Sequence, residues 1–152
     1  MDHFLYQNGV LHAEDVPLTD IAANIGTPFY VYSTATLTRH FRLFEQALAG
    51  TQHMVCFAVK ALSNVAVLRV LGKLGAGMDV VSGGEYRRAR VAGVPGDRIV
   101  FSGVGKTRDE MALVLSEGVR QINVESLEEL RVLSEVAVSL GATAPIALRV
   151  NP

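Results

Sequence analysis

Short apolar segments alternate with amphipathic segments along most of this chain, and this alternation restricts its fold more than any other feature. The amphipathic segments carry apolar residues at helical spacing, as at Leu37, Phe41, Phe44 and Leu48. Apolar strands that alternate with helices predict a parallel sheet covered by helices. The predicted strands are residues 29–32, 54–59, 76–81, 98–102, 121–124 and 146–150, and the predicted helices are residues 36–48, 65–74, 85–92, 109–117 and 127–140.

Three of the predicted helices begin with the same capping signal. A hydroxyl residue followed three positions later by glutamate predicts a capping box, in which each side chain accepts a hydrogen bond from an otherwise unpaired backbone amide. A glycine stands near the predicted end of each of these helices, which supports the boundaries. The three pairs are Ser82 with Glu85, Thr107 with Glu110, and Ser126 with Glu129.

Two α/β architectures fit this order of elements. An open doubly wound sheet would be complete at 152 residues, whereas a (β/α) barrel takes about 250 residues. The sequence ends at Pro152, directly after a predicted strand, which favours an incomplete barrel, but an open sheet ending on an edge strand has the same order. Residues 1–28 do not follow the repeat. Asn8 and Gly9 predict a strand pair over residues 4–11, and a short helix is predicted to end near Gly26.

The composition argues against several classes of protein. The net charge of -1 gives no basic field for nucleic acid and no polybasic patch for a membrane surface. No apolar run is long enough to span a bilayer, and the acidic N-terminus does not resemble a signal peptide. Cys56 is the only cysteine, so an internal disulfide is excluded. We therefore expect a cytoplasmic protein with no nucleic-acid or membrane partner.

Lys60 is the first candidate for chemistry, because it ends an otherwise apolar segment. A solvated strand end is the commoner interpretation. In a dry site, however, the ammonium loses its proton more easily, and the neutral amine forms a Schiff base with an aldehyde or ketone. Lys60 lies at the carboxyl end of its predicted strand, where (β/α) folds place their active sites.

Two charged residues in other predicted strands accompany Lys60. Asp79 lies late in the segment of residues 76–81, where a carboxylate among apolar residues needs a partner, and adjacent parallel strands bring it towards Lys60. Arg149 lies near the end of the last predicted strand and needs a carboxylate or phosphate partner. A structural ion pair accounts for Arg149 equally well.

The remaining motifs have simpler interpretations. Residues 102–107 resemble the end of a P-loop, but Val100 occupies the position that needs glycine, so a glycine-rich turn into a capped helix is the better interpretation. The capping position of Glu85 explains that residue adequately. The four histidines and Cys56 lack the spacing of metal ligands, so no metal site is predicted.

Several runs together resemble the N-terminal part of the diaminopimelate decarboxylase family. The runs at 75–85 and 99–107 are the most specific, whereas the run around Lys60 is shared by related basic-amino-acid decarboxylases. Leu62 departs from the pattern, since many relatives have asparagine there. The similar runs are residues 6–11, 26–33, 57–61, 75–85, 99–107, 122–126 and 148–152.

The resemblance implies a fold, a cofactor and a reaction. It implies the first six strands of a (β/α)8 TIM-type barrel over residues 29–152, and a segment over residues 1–28 that contributes a strand and a lead-in helix to a β domain. It implies pyridoxal 5'-phosphate, held as a Schiff base on Lys60, with Asp79 and Arg149 lining the cofactor site. It further implies a homodimeric cytoplasmic lyase that converts meso-2,6-diaminopimelate to L-lysine in lysine biosynthesis. Several groups of that site lie beyond the last residue here, so the 152-residue chain alone is expected to be inactive.

Two alternatives remain open at the level of sequence. One is a decarboxylase of the same fold that acts on ornithine, arginine or carboxynorspermidine. The other is a non-enzymatic open α/β binding module, in which Lys60 is an ordinary surface residue.

Overall fold

A computed structural model describes residues 3–152, which form two compact units that divide between Thr51 and Gln52. The first unit contains a small antiparallel sheet and two helices. Its elements are β1 (Phe4–Gln7), β2 (Val10–Ala13), β3 (Val16–Pro17), α1 (Leu18–Ile25) and α2 (Thr34–Ala47).

The second unit alternates strands and helices. Two short 3-10 helices, Val59–Ala61 and Gly96–Arg98, lie next to strands. The regular elements are β4 (Cys56–Ala58), α3 (Val65–Lys73), β5 (Gly77–Val80), α4 (Gly83–Val91), β6 (Ile99–Phe101), α5 (Arg108–Glu117), β7 (Gln121–Val124), α6 (Leu127–Ser139) and β8 (Ile146–Leu148).

The first unit confirms the predicted strand pair around Asn8 and Gly9. Both residues have positive φ angles, 50° and 82°, and β1 pairs with β2 in antiparallel register on either side of them. The short strand β3 adds a third member to this sheet that the sequence pattern did not predict. The carboxylate of Glu14 accepts hydrogen bonds from the Ser33 hydroxyl at 2.7 Å and from the Ala35 amide at 2.8 Å, which fixes the start of α2.

The prediction of a buried strand at residues 29–32 is wrong. These residues belong to no strand, and the side chain of Tyr30 is 91% exposed. Aromatic and β-branched residues favour strands, but a strand forms only where a neighbouring backbone completes its ladder of hydrogen bonds. Among residues 3–152 no strand pairs with this segment.

The second unit confirms the predicted parallel sheet. Its strands are hydrogen-bonded in sequence order, β4 to β8, and every pair is parallel. The described part of the chain therefore has five strands in this sheet, one fewer than the sequence pattern predicted, because residues 29–32 do not contribute. A parallel sheet whose strands are joined by helices is the α/β arrangement expected from the alternating pattern.

The two faces of the parallel sheet differ, although the sequence pattern predicted strands that are apolar throughout. On one face, residues such as Met78 and Phe101 are completely buried. On the other face, Asp79 and Asn123 are only partly buried. Successive residues of a strand point to opposite faces, so each strand here has one apolar face and one mixed face. The fully or almost fully buried strand residues are Met78, Val80, Ile99, Phe101, Ile122 and Val124.

The core under the helices also holds a buried tyrosine. Tyr86 of α4 has no exposed surface, and its hydroxyl donates a 2.8 Å hydrogen bond to the carbonyl of Gly118, where α5 ends. Burial raises the pKa of this hydroxyl above its usual value, so it stays protonated as a donor. The bond ties one helix to the end of the next.

The predicted helix starts are close to those observed, but only one predicted capping box has both of its hydrogen bonds. At α5, Thr107 and Glu110 cap each other's backbone amides. At α4, Glu85 instead accepts a 2.9 Å hydrogen bond from the amide of Val81. At α6, Glu129 contacts a lysine rather than the N-cap amide. The prediction of two further reciprocal boxes is therefore wrong, because those carboxylates bind other groups.

Glu110 also fixes the start of the preceding helix. Its Oε1 accepts a 2.7 Å hydrogen bond from the amide of Gly83, the first residue of α4, and its Oε2 accepts 3.0 Å bonds from the amide and hydroxyl of Thr107. Partial burial alone would raise the pKa of Glu110, but these hydrogen bonds outweigh that effect and hold it below 4.5. One carboxylate thus joins α4 to α5.

We expect Glu110→Gln to lower stability by about 1 kcal/mol near pH 7. Because the folded-state pKa of Glu110 is lowered, its contribution is full above the unfolded-state value and is lost as the pH falls through the folded-state value. The difference between the parent and variant midpoints of thermal unfolding should therefore shrink below about pH 4.5. Asp109→Asn, at the neighbouring exposed carboxylate, is the control. A Glu110→Gln difference that is the same in acid and at neutral pH would contradict this role.

Candidate active site

The carboxyl ends of the parallel strands bring Lys60 and Asp79 to one edge of the sheet. Ala58, the last residue of β4, is the register partner of Asp79 in β5. Lys60 follows two residues later, in the 3-10 helix that continues from β4. The predicted position of Lys60 beyond a strand end, next to the strand that carries Asp79, is therefore what the structure shows.

The amine of Lys60 is exposed and unpaired. Its side chain is open to solvent, and across residues 3–152 no hydrogen bond or ion pair involves its Nζ atom. Asp79 was expected to need a partner, but that partner is not Lys60. A primary amine without a carboxylate partner is available to react with a carbonyl group.

Asp79 instead ends a chain of polar side chains that crosses three strands. The Ser102 hydroxyl donates a 2.5 Å hydrogen bond to Oδ1 of Asp79. The side-chain amide of Asn123 donates to the same hydroxyl at 3.0 Å, and Gln121 donates to Oδ1 of Asn123 at 2.7 Å. This polar chain, defined as Asp79, Ser102, Asn123 and Gln121, lies on the mixed face of the sheet. Each link fixes the next, so the Asp79 carboxylate has a defined orientation.

Cys56 is the first residue of β4, the strand that leads into the 3-10 helix containing Lys60. Burial raises the pKa of its thiol, and the negative charge of Asp79 raises it further, while Arg98 and Arg120 act in the opposite direction. The thiol is the only one in the sequence and is partly exposed. It therefore reports on the charge of Asp79 without any ligand present.

Arg149 forms an ion pair at the far side of the same edge. It follows β8, and its Nη1 atom lies 3.1 Å from both carboxylate oxygens of Glu125. The Glu125 side chain is only 10% exposed, whereas the Arg149 side chain is 55% exposed. The carboxylate partner that the sequence pattern required for Arg149 is thus Glu125.

A pocket of about 310 Å³ adjoins this ion pair. Its size suits a small organic ligand, and an arginine with a fixed carboxylate gives it both signs of charge. Its lining residues are Val104, Glu125, Ser126, Arg149 and Asn151. A second pocket, of about 260 Å³ beside α6 and β8, has no ionisable side chain in its lining and offers no comparable chemistry.

Lys106 is the functional candidate that the sequence pattern missed. It belongs to the run resembling a P-loop, yet its side chain is completely buried and pairs with Glu129 at 2.8 Å. The capping position of Glu129 hid this pairing, because its spacing to Ser126 already offered an explanation. Ser102 and Asn123 were also missed, although the alternation of polar and apolar residues over 121–124 is a signal for a strand with one polar face.

The described residues contain neither a metal-binding cluster nor a membrane-spanning helix. Within residues 3–152, no group of three or more His, Cys, Asp or Glu side chains is arranged to hold a metal ion. In that same range, no helix has the length and apolar character needed to cross a membrane.

Comparison with known proteins gives one consistent result. The family profile for the pyridoxal-dependent decarboxylase, pyridoxal binding domain, matches residues 34–152. A diaminopimelate decarboxylase of Pseudomonas fluorescens is 56% identical over this whole chain, which spans 37% of that protein.

Solved structures agree in fold. The crystal structure of an Aquifex aeolicus protein aligns with a TM-score of 0.94 at 44% identity, covering 99% of this chain and 37% of that one. A diaminopimelate decarboxylase of M. jannaschii in complex with L-lysine aligns with a TM-score of 0.90 at 35% identity, covering 98% and 36%. The chain thus spans little more than a third of the length of the relatives it matches.

We expect Asp79→Asn to lower the pKa of the Cys56 thiol, because it removes the nearby negative charge. Alkylation of Cys56 by iodoacetamide near pH 8 should then become roughly twofold faster. The reaction can be followed by mass spectrometry of the peptide that contains Cys56. Asp109→Asn is the matched control, since Asp109 is not among the groups that shift this thiol. An unchanged rate in Asp79→Asn would show that the carboxylate does not act on the thiol.

Proposed function

Because the chain belongs to the family of pyridoxal-dependent decarboxylases, we propose that the complete protein converts meso-2,6-diaminopimelate to L-lysine, with pyridoxal 5'-phosphate bound to Lys60. The observation that carries this proposal is the unpaired amine of Lys60 at the carboxyl edge of the sheet, beside Asp79. The choice of substrate follows the names of the relatives, one of which is 56% identical over the whole chain.

The residues at this edge fit such a cofactor. An aldehyde needs a nucleophilic amine that is free of a carboxylate partner, and across the described residues Lys60 has none. When bound, pyridoxal phosphate supplies a conjugated ring that takes up the electron pair left by the departing carboxylate. Lys60 is the residue that would hold the cofactor through its side-chain amine.

Asp79 has an electrostatic role in this proposal. A fixed negative charge close to a nitrogen favours the protonated form of that nitrogen. The hydrogen bond from Ser102 orients the carboxylate, and among residues 3–152 the other oxygen, Oδ2, has no hydrogen bond and is available to a ligand. With the cofactor bound, Asp79 would hold a proton at the Nζ atom of Lys60.

Arg149 contributes positive charge at the other end of the edge. Its Nη1 atom donates to Glu125, but among the described residues its Nη2 and Nε atoms donate no hydrogen bond. A guanidinium has five donors in a fixed plane, so those groups remain available to an anionic part of the cofactor or substrate. Glu125 fixes the plane of the guanidinium.

The parallel sheet forms part of a (β/α)8 barrel in this proposal, and residues 1–28 contribute to a separate β domain. The mixed face of the sheet supports this arrangement, because the interior of a barrel receives alternate residues from each strand. The complete enzyme is proposed to be a cytoplasmic homodimer. The 152-residue chain alone is expected to be inactive, since it spans only 37% of the diaminopimelate decarboxylase of Pseudomonas fluorescens.

Trapping the cofactor tests the role of Lys60 directly. The complete protein should be mixed with pyridoxal phosphate, reduced with borohydride, digested and mapped by mass spectrometry. We expect the adduct on Lys60 and its loss in Lys60→Ala. Lys73→Ala, which changes an exposed lysine of α3, should keep the adduct. Label spread evenly over all lysines would instead favour a binding module with no cofactor lysine.

Substrate choice is tested by product formation. The complete protein with pyridoxal phosphate should release carbon dioxide and L-lysine from meso-2,6-diaminopimelate. Ornithine and arginine lack the second amino-acid group, so we expect their kcat/KM values to be at least about 100-fold lower. Carboxynorspermidine should be tested in parallel. A higher kcat/KM for any of these three would overturn the proposed substrate while leaving the cofactor result intact.

A further inference from the structure

The ammonium of Lys106 is buried and completely satisfied. None of its side chain is exposed, and its Nζ atom donates to the Gly103 carbonyl at 2.7 Å, to the Asn123 carbonyl at 2.7 Å and to Glu129 at 2.8 Å. An ammonium has three donors, and each has one acceptor here. The ring of Phe101 lies 5.7 Å from the same nitrogen and adds a favourable cation–π contact.

Two of the three acceptors of Lys106, the carbonyls of Gly103 and Asn123, lie next to the polar chain or within it. Gly103 directly follows Ser102, and Asn123 is itself a member of the chain. Lys106 therefore holds the backbone on both sides of the hydrogen bond between the Asn123 amide and the Ser102 hydroxyl. The same hydroxyl donates to Asp79. Movement of either backbone segment would disturb the contact that orients the Asp79 carboxylate.

A contribution to stability does not by itself explain why the buried pair of Lys106 and Glu129 is present. Desolvation of two charges costs several kcal/mol, and apolar residues of similar volume often serve a folded core as well or better. A buried ion pair does, however, fix geometry, because its charges have few alternative partners in a dry environment. Lys106 binds the backbone next to Ser102 and at Asn123, so its position suits a role in fixing geometry.

We propose that Lys106, together with Glu129, is a positioning residue for Asp79 and, through it, for the Nζ atom of Lys60 that would hold the cofactor. The inference rests on the proposed function, since it assigns the orientation of Asp79 a role in cofactor binding. Lys106 itself contacts neither Lys60 nor Asp79 through any hydrogen bond or ion pair within residues 3–152. Its effect passes through the backbone carbonyls of Gly103 and Asn123 and through the Ser102 hydroxyl.

The variants are Lys106→Met, Glu129→Gln, Ser102→Ala and the double variant Lys106→Met with Ser102→Ala, all in the complete protein. Glu129→Gln keeps the shape of its side chain and serves where Lys106→Met does not fold. Arg108→Gln is the matched control, because Arg108 forms another ion pair with a glutamate of α6, Glu135, at 2.5 Å, but these two side chains are 58% and 62% exposed. Within residues 3–152, no hydrogen bond or ion pair joins Arg108 or Glu135 to the polar chain.

The first measurement uses the cofactor-free protein. Hydrogen exchange should become faster over residues 102–106 and 121–124 in Lys106→Met and Glu129→Gln, with little change in Arg108→Gln. Unchanged exchange in these segments would overturn the inference, because Lys106 would then not fix the backbone of the polar chain. This result does not depend on whether pyridoxal phosphate binds.

The second measurement uses the holoenzyme and follows the absorption spectrum of bound cofactor as a function of pH. We expect Lys106→Met and Glu129→Gln to shift the pH midpoint in the same direction as Ser102→Ala, and to weaken cofactor binding roughly tenfold. The double variant should add little to either single variant, because both act through one contact. Arg108→Gln should match the parent.

Two results distinguish failure of the inference from failure of the proposed function. Lower thermal stability with an unchanged pH midpoint, or additive effects in the double variant, would overturn the positioning role while the cofactor stays on Lys60. A parent protein that forms no reducible adduct at Lys60 would overturn the proposed function, and with it the link from Lys106 to the cofactor. The exchange data would still show whether Lys106 fixes Ser102 and Asn123.

Discussion

The parallel register of the sheet is the constraint on which the candidate site depends. Ala58, Asp79 and Val100 are partners across three strands, so whatever follows these strands meets at one edge. A slip of one residue would turn Asp79 towards the helices, into the layer that now holds Met78 and Val80. A carboxylate in that layer would be desolvated without a partner. Apolar packing under the helices therefore decides that the polar chain forms on the opposite face.

The secondary structure was largely predictable because its signals are local. Apolar spacing, with a hydroxyl residue at the N-caps of α4, α5 and α6, placed the helices of the second unit within two residues of their observed starts. The same spacing placed the start of α2, which Ser33 caps, within two residues. The segment at residues 29–32 was mispredicted because pairing depends on a distant backbone, which composition does not encode. Two of the three predicted capping boxes failed for a related reason. The spacing places Glu129 next to an amide, but a lysine 23 positions away in sequence binds it instead.

The candidate site was predictable in location but not in its pairings. Lys60, Asp79 and Arg149 each stand near the end of an apolar segment, and that position alone put them at the carboxyl edge. Their partners came from elsewhere in the chain. Asp79 binds Ser102, and Arg149 binds Glu125. The sequence around Ser102 and Glu125 gives no sign of these two contacts. Lys106 escapes prediction because its glycine-rich setting resembles a nucleotide-binding loop, a resemblance that concerns exposed backbone rather than a buried side chain.

The ion pair between Arg149 and Glu125 has a consequence for how ligands reach this edge. Lys60 and Arg149 are balanced there by Asp79 and Glu125, so the side-chain charges of these four residues cancel. Long-range attraction follows net charge and is screened by salt, whereas contacts at hydrogen-bond distance depend on orientation. An anion approaching this edge therefore experiences little electrostatic attraction until it reaches hydrogen-bond distance. Its rate of association should then vary only weakly with ionic strength, unlike that of a cleft lined by one sign of charge.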